Sequence, residues 1–456
     1  MSRTALAALG LSILLGGVAE LRAQVSRTAI IPSQMARRQG LERAWVTQVE
    51  IDRSRGRIAH VTLHDGLLLV QTDQAALHVL DAETRRTMWI AHIGRPGAVS
   101  SPPAVSDKFI ASTNGGDLYL FERDTGRALW RKHLSSVASA GPVLGSGRVY
   151  IPMVNGIVAS YRLPRPRVDG EPTEEETPLE KLYKDTALNY QGKGMADAAP
   201  IVTHASVVWG TAAGNVYACT PDQLLAMYRV KTHGPISAPL TYRAPHVFAA
   251  SRDGYLYCIK DPSGDIHWQF SVGTPIAEKP VVIGDALFVI SETGGLYRIN
   301  ANTGAQEWFV PGVYQFVSGS PTRLYTVDSS GRMLILDARN GSRLGTLATE
   351  QLPLKVLNTE TDRIYLGTRT GMIQCLREIE LVEPFVHGAV GAPLDAVEEP
   401  AEGEGDKPAD EKPKAPAADP NDPFGEGEPA MKDDAAMEGE EAPADGEEMA
   451  EEEKAN

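Results

Sequence analysis

Between Leu41 and Glu380, short stretches of alternating apolar and polar residues recur at a fixed spacing, each bounded by a turn rich in glycine, asparagine or aspartate. The pattern is complete around Gly254. Ala238-Pro239-Leu240-Thr241 reads as a short apolar first strand, and residues 246–251, β-branched and aromatic, as a second. Arg252-Asp253-Gly254 is a hairpin turn in which glycine supplies positive φ. Residues 255–260 alternate as a third strand, Asp261-Pro262-Ser263-Gly264 turns again, and residues 267–270 form an outer strand. Aligned on that glycine, the copies fall at Ala75, Gly116, Gly156, Gly214, Gly254, Gly294, Gly331 and Gly371, in steps of 41, 40, 58, 40, 40, 37 and 40 residues. Four antiparallel strands repeated at a period near 40 predict an all-β fold, an eight-bladed β-propeller of four-stranded blades over residues 41–380. A linear solenoid would show a shorter period or one strand per repeat.

The last unit ends at Gly371-Met-Ile-Gln-Cys-Leu-Arg377 with no outer strand after it, while Leu41-Glu-Arg-Ala-Trp45 is an outer strand without a blade. Trp45 is therefore expected to complete the last blade, so that the N-terminal strand closes the ring and removes the exposed sheet edges. Trp45, Trp89, Trp130, Trp268 and Trp308 then share one structural slot between blades. The 58-residue step places an insertion at 163–192. Its first half, from Arg165 to Pro178, is polar and rich in breakers and reads as a loop. Leu179-Glu-Lys-Leu-Tyr-Lys184 reads either as a short helical turn or as the displaced outer strand.

Both ends differ from this body. Residues 1–23 combine an early Arg3, an uncharged run from Ala5 to Val18 too short to span a bilayer, and small residues with Ala19 and Ala23 as cleavage points: a secretory signal peptide. No cysteine near that region accepts a lipid, so the mature protein is expected in the periplasm or outside the cell without a lipid anchor. Residues 24–40 read as an N-terminal linker and 381–394 as a second one. From Asp395 to Asn456 the chain carries 23 acidic and 5 basic side chains, a balance of −18 against −15 for the whole protein, so the rest carries +3. A stretch so poor in apolar residues cannot offset its ordering entropy, and 395–456 is expected to be a disordered acidic tail. A nearly neutral body argues against nucleic acid as a partner. Cys219, Cys258 and Cys375 lie in separate repeats and are expected as free buried thiols.

The recurring turn and outer strand stand as Asp81-Ala-Glu-Thr-Arg-Arg-Thr-Met-Trp89, Glu122-Arg-Asp-Thr-Gly-Arg-Ala-Leu-Trp130 and Asn300-Ala-Asn-Thr-Gly-Ala-Gln-Glu-Trp308, with a weaker copy at Asp261-Pro-Ser-Gly-Asp-Ile-His-Trp268. The blade around Gly331 keeps Asp337-Ala-Arg-Asn-Gly341 and loses the tryptophan. This repeat resembles that of the pyrroloquinoline-quinone (PQQ)-like eight-bladed propellers. The resemblance implies one of two functional branches, quinone-dependent dehydrogenases or non-catalytic scaffolds such as the propeller that assists outer-membrane barrel assembly. A dehydrogenase holds PQQ with Ca²⁺ through oxygen ligands and needs a carboxylate base. In that branch long inter-blade insertions and a ring of adjacent cysteines cover the cofactor. Here no two cysteines are adjacent and nearly every unit has minimal length.

The expectation is thus a non-enzymatic, monomeric, exported scaffold of the bacterial envelope that binds protein partners and needs no cofactor. Outer-membrane protein assembly is the role the resemblance implies, and a PQQ-dependent dehydrogenase is the alternative. Partner contacts are expected where first strands enter the central channel. The residues before the strand proline are small at Ser100-Ser101, Ala140-Gly141, Ala198-Ala199, Ser237-Ala238 and Gly319-Ser320, but Glu278-Lys279 precedes Pro280. Glu278 and Lys279, with Asp197 and His233 nearby, are the candidate partner-binding residues, and an ion pair at a wet channel mouth is the plainest reading of the first two.

Overall fold

The computed structural model describes residues 30–52, 54–164, 187–221, 223 and 225–388. The expected signal peptide, most of the insertion with residues 179–184, residues 389–394 and the acidic tail lie outside the described residues.

Eight four-stranded antiparallel sheets surround a common axis. Seven are built from consecutive strands, blades 1 to 7 at 58–92, 100–133, 143–191, 201–231, 241–271, 281–311 and 315–347. Blade 8 takes its inner, second and third strands from Leu354–Lys355, Ile364–Gly367 and Met372–Glu378, and its outer strand from Leu41–Gln48. Leu41 pairs with Glu378 and Trp45 with Cys375, so the N-terminal strand closes the ring.

Burial follows strand position. Second strands such as Leu67–Thr72 and His246–Ala250 are buried along their whole length, while the outer strand Gln306–Pro311 alternates between exposed and half-buried positions. Successive side chains of a strand point to opposite faces, so each second strand feeds two cores. Val247 packs with Val208 of blade 4, and Phe248, next to it, packs with Leu287 of blade 6. Leu324 and Tyr325, and Ile364 and Tyr365, divide in the same way. The outcome is eight apolar clusters, one per seam between blades.

The tryptophan slot has a defined geometry. The indole N–H of Trp45 donates to Ala82 O at 3.1 Å, that of Trp89 to Arg123 O at 2.7 Å and that of Trp268 to Ala301 O at 3.1 Å. Each acceptor is the second residue of the next blade's Asp/Glu/Asn turn. Gly126 lies against the Trp89 ring and Gly304 against Trp268, where a Cβ would stand 2.6 Å from Trp268 Cδ2, while Arg85 at φ 60° holds the corresponding position of the turn that receives Trp45. Tyr190 and Tyr228 fill the slot in blades 3 and 4: Tyr190 OH donates to Pro221 O at 2.7 Å, and a Cβ on Gly264 would meet the Tyr228 ring at 2.5 Å. Blade 6 departs from the rule, because Arg298 Nη1 bonds Ala338 O and leaves the buried Trp308 Nε1 without a partner.

This geometry predicts a difference between two glycines. Gly304→Ala combines a left-handed backbone (φ 72°) with the clash on Trp268, and is expected to cost about 2–4 kcal/mol. Gly312→Ala has a similar φ of 78° but nothing within 4 Å, and should cost about 1 kcal/mol. Denaturant unfolding of the two variants would show equal midpoints if the tryptophan contact carried no weight.

Several local expectations are corrected. The first strand of blade 5 is Thr241–Arg243, not residues 238–241. In blade 2 the left-handed residue is Gly115 (φ 61°), not the aligned Gly116, because Asn114 pairs directly with Asp117 across a two-residue turn. Gly319 ends the inner strand Gln315–Gly319 of blade 7, and Pro321 lies in the turn after it, because only three residues separate that strand from blade 6. Within the 163–192 insertion, Leu188–Gln191 is the outer strand of blade 3. The stretch 24–40 contains a helix at Ser33–Arg38, entered from Pro32 and followed by Gly40 at φ 74°. The helix buries Ala36 in the seam between blades 7 and 8. There Gly345 takes the tryptophan position, and Gln39 packs into the space. Beyond Glu378, residues 381–388 run back as a strap that bridges Thr361 and Val386.

Candidate functional site

The inner strands frame the channel. Each is the edge of its own sheet, with one row of backbone groups lacking a ladder partner. Side chains of the preceding blade answer some of these. His60 Nε2 meets Ser100 O at 3.0 Å, Ser139 Oγ donates to Ala196 O at 2.6 Å, Thr241 Oγ1 to Pro280 O at 2.5 Å and Gln315 Nε2 to Lys355 O at 3.2 Å. Blades 1, 3, 5 and 7 are thereby laced to blades 2, 4, 6 and 8 around the channel. These donors were not singled out in the sequence, since nothing distinguishes such a serine or threonine from its neighbours before the register is known.

The four candidate residues lie on the loops that carry the chain from an outer strand to the next blade's inner strand. Glu278 and Lys279 lead into Val281–Ile283 of blade 6, and Asp197 into Ile201–Val202 of blade 4. His233 follows the outer strand Ala226–Lys231, and its backbone N–H donates to Asp253 Oδ2 at 3.0 Å. Asp197, His233 and Glu278 are exposed, and Lys279 is half-buried.

The expected ion pair between Glu278 and Lys279 is not what places their charges. Burial alone pushes the Glu278 carboxyl above its usual range. Burial pushes the Lys279 ammonium down, and the carboxylate that pulls it back is Glu360, on the loop between the inner and second strands of blade 8. Both groups keep contact with water while protein crowds them on several sides, as residues inside a channel do. Glu360 is itself held by the backbone N–H groups of Asp65, at 2.8 Å, and Gly66, at 3.3 Å, in blade 1. Lys279 thus stands as a partly desolvated cation, and the carboxylate that acts on it is already committed to a seam.

Among the described residues, no group of three or more His, Cys, Asp or Glu side chains is placed to hold a metal ion. Cys219, Cys258 and Cys375 are free and buried, and burial pushes Cys258 up to about 12. No helix of the described residues is long and apolar enough to cross a membrane.

Eight four-stranded blades, seven of them with an aromatic residue in the outer-strand slot described above, define a PQQ-like propeller. The family model described as outer membrane protein assembly factor BamB (PQQ_2) matches residues 34–164, 73–232 and 206–353, and the chain belongs to this family. The outer membrane protein assembly factor BamB of Bordetella pertussis (strain Tohama I) is 23% identical over 201 residues, covering 42% of this chain and 46% of that protein. The chain therefore spans about half the length of the curated relative it matches. Among solved structures, BamB from Moraxella catarrhalis has a TM-score of 0.55 at 17% identity, over 73% of this chain and 98% of that one. The computationally designed Ika8 protein reaches 0.56 at 12%, over 72% and 99%. Likeness at these identities is one of fold, and fold alone assigns no function.

Proposed function

We propose that this protein is a non-enzymatic scaffold that is exported to a bacterial envelope and binds protein partners during outer-membrane protein assembly. The observation that carries the reading is the family match over most of the propeller. The sequence of residues 1–23 supports export. Minimal blades without adjacent cysteines support a role that needs no PQQ and no Ca²⁺. The loops bearing Asp197, His233, Glu278 and Lys279 are the proposed partner surface, with Lys279 as a cation free to meet a partner's carboxylate.

Cross-linking in the native envelope followed by mass spectrometry tests this. The expected result is recovery of outer-membrane assembly components, reduced at least threefold by the double substitution Glu278→Ala and Lys279→Ala. Capture unchanged by that substitution would move binding away from the channel mouth. Dye-linked alcohol oxidation on adding PQQ and Ca²⁺ would overturn the scaffold reading in favour of a quinoprotein dehydrogenase.

A further inference from the structure

The loop that carries the chain from blade 1 into blade 2 borders a pocket of about 620 Å³ that is open to solvent. Its other walls are the hairpin between Phe109–Asn114 and Asp117–Glu122, and the end of the outer strand Ala128–His133. Small-molecule sites occupy roughly 300–1,000 Å³. None of Asp197, His233, Glu278 and Lys279 lines this space.

Asn114 is built into the wall and is 5% exposed. Its Oδ1 accepts the Arg95 backbone N–H at 2.9 Å, which sets the orientation of the amide. Gly94, at φ 74°, packs so closely on that amide that a Cβ there would overlap it. The Nδ2 end has no hydrogen-bond partner among the described residues and opens on the pocket. An amide nitrogen only donates, so a ligand that meets it must bring acceptor atoms.

The charged side chains point the same way. Arg95 is exposed, and its guanidinium forms no ion pair among the described residues. Arg131 Nη2 donates to Asp117 Oδ2 at 2.6 Å, and His133 Nδ1 lies 3.0 Å from Asp117 Oδ1. Both oxygens of the carboxylate in the lining are thus engaged by basic groups. The Arg131 guanidinium also stands 5.7 Å from the centroid of the Tyr119 ring. Burial pushes the Tyr119 hydroxyl up, while the charges of Arg131 and Arg95 both pull it down, so the two guanidiniums flank one phenol. Two guanidiniums against one carboxylate leave a surplus positive charge, to which His133 adds when protonated.

We propose that this pocket binds an oxyanion, a phosphate or a carboxylate, carried on a polar body of monosaccharide size. Arg95 meets the anionic oxygens with its planar fork of donors. Asn114 Nδ2 donates to the same group, and Arg131, anchored by Asp117, adds to the positive field. A phosphate ion alone would fill only a small part of the space. A sugar phosphate and a sugar acid offer the same chemistry. The inference does not rest on the scaffold reading and stands or falls separately from it.

Calorimetric titration of the full-length protein with glucose 6-phosphate, glucuronate and glucose tests it. A Kd of about 1 mM is expected for the better anion. Glucose, without the anionic group, should bind about tenfold more weakly. Arg95→Gln removes an exposed group that no other side chain needs, and should weaken both anions about threefold and reduce their sensitivity to salt. Asn114→Asp keeps the oxygen that receives the Arg95 N–H and turns the free donor into an acceptor, and should weaken both anions about tenfold. Should that variant fail to fold, Arg95→Gln still decides. Tighter binding of glucose 6-phosphate assigns the group to a phosphate, and tighter binding of glucuronate to a carboxylate; either upholds the site. Glucose binding as well as the anions, no saturable anion binding below about 10 mM, or affinities unchanged in Arg95→Gln would overturn it.

Discussion

Replacing Trp45 by alanine is expected to destabilise the propeller by about 3–5 kcal/mol, the cost of removing a large buried ring. Trp45 is 8% exposed, stands 5.9 Å from the Tyr365 ring and donates to Ala82 O of blade 1. The loss falls on the one seam whose strands are remote in sequence, since Leu41–Gln48 reaches blade 8 without a covalent hairpin. Hydrogen exchange should therefore quicken along Met372–Glu378 as the N-terminal strand frays. Trp268→Ala removes a ring of the same kind at a seam between consecutive blades, and its effect should stay near blades 5 and 6. Exchange at Met372–Glu378 that is the same in both variants would mean that the closing strand is held by its backbone ladder alone.

The second large effect is expected from Arg363→Ala. The Arg363 side chain is 1% exposed and that of its neighbour Asp362 is fully buried. The guanidinium contacts Asp362 Oδ2 at 3.1 Å, Glu83 Oε1 of blade 1 at 3.1 Å, and the strap carbonyls of Leu381, at 3.0 Å, and Val382, at 2.7 Å. Truncation leaves the Asp362 charge in the interior, with the Phe385 N–H at 2.8 Å among its remaining partners, and releases the strap. A loss of about 3–5 kcal/mol is expected in denaturant unfolding, as for other buried pairs deprived of one partner. Proteolysis near residues 381–388 should accelerate at the same time. A midpoint within 1 kcal/mol of the parent, with the strap still protected, would show that the Phe385 N–H suffices to hold Asp362 without the cation.

What the sequence disclosed follows from what repeats. The hairpin glycine and the outer-strand tryptophan recur because every blade must turn at one place and dock on its neighbour at another, so spacing alone located all eight blades, while the tryptophan marked only blades 1, 2, 5, 6 and the closing strand. Tyr190 and Tyr228 escaped, because an aromatic residue without the preceding Thr-Gly turn looks like any strand residue. So did Gly345 and Gln39, where a small residue and a side chain from outside the repeat share the slot. Arg363 carried no pattern at all. Its meaning arises from burial, and burial there depends on residues 381–388, which composition alone assigned to a linker. The channel-mouth residues were found from their departure from a small-residue rule, but the charge opposite Lys279 belongs to Glu360, 81 residues away in sequence, and no spacing reveals that.

Closing the ring through its first strand also sets an order of events. Leu41 is made and released before any other strand of the propeller, yet its partner Glu378 follows 337 residues later. Bringing two points so far apart together costs about 5 kcal/mol of chain entropy, beyond the constant for any loop. Until blade 8 exists, Leu41–Gln48 is an unpaired edge able to recruit a strand from another molecule. The earliest part of the propeller to emerge is thus the last to be satisfied, and a cell that makes this protein must shelter that segment for the whole of its synthesis.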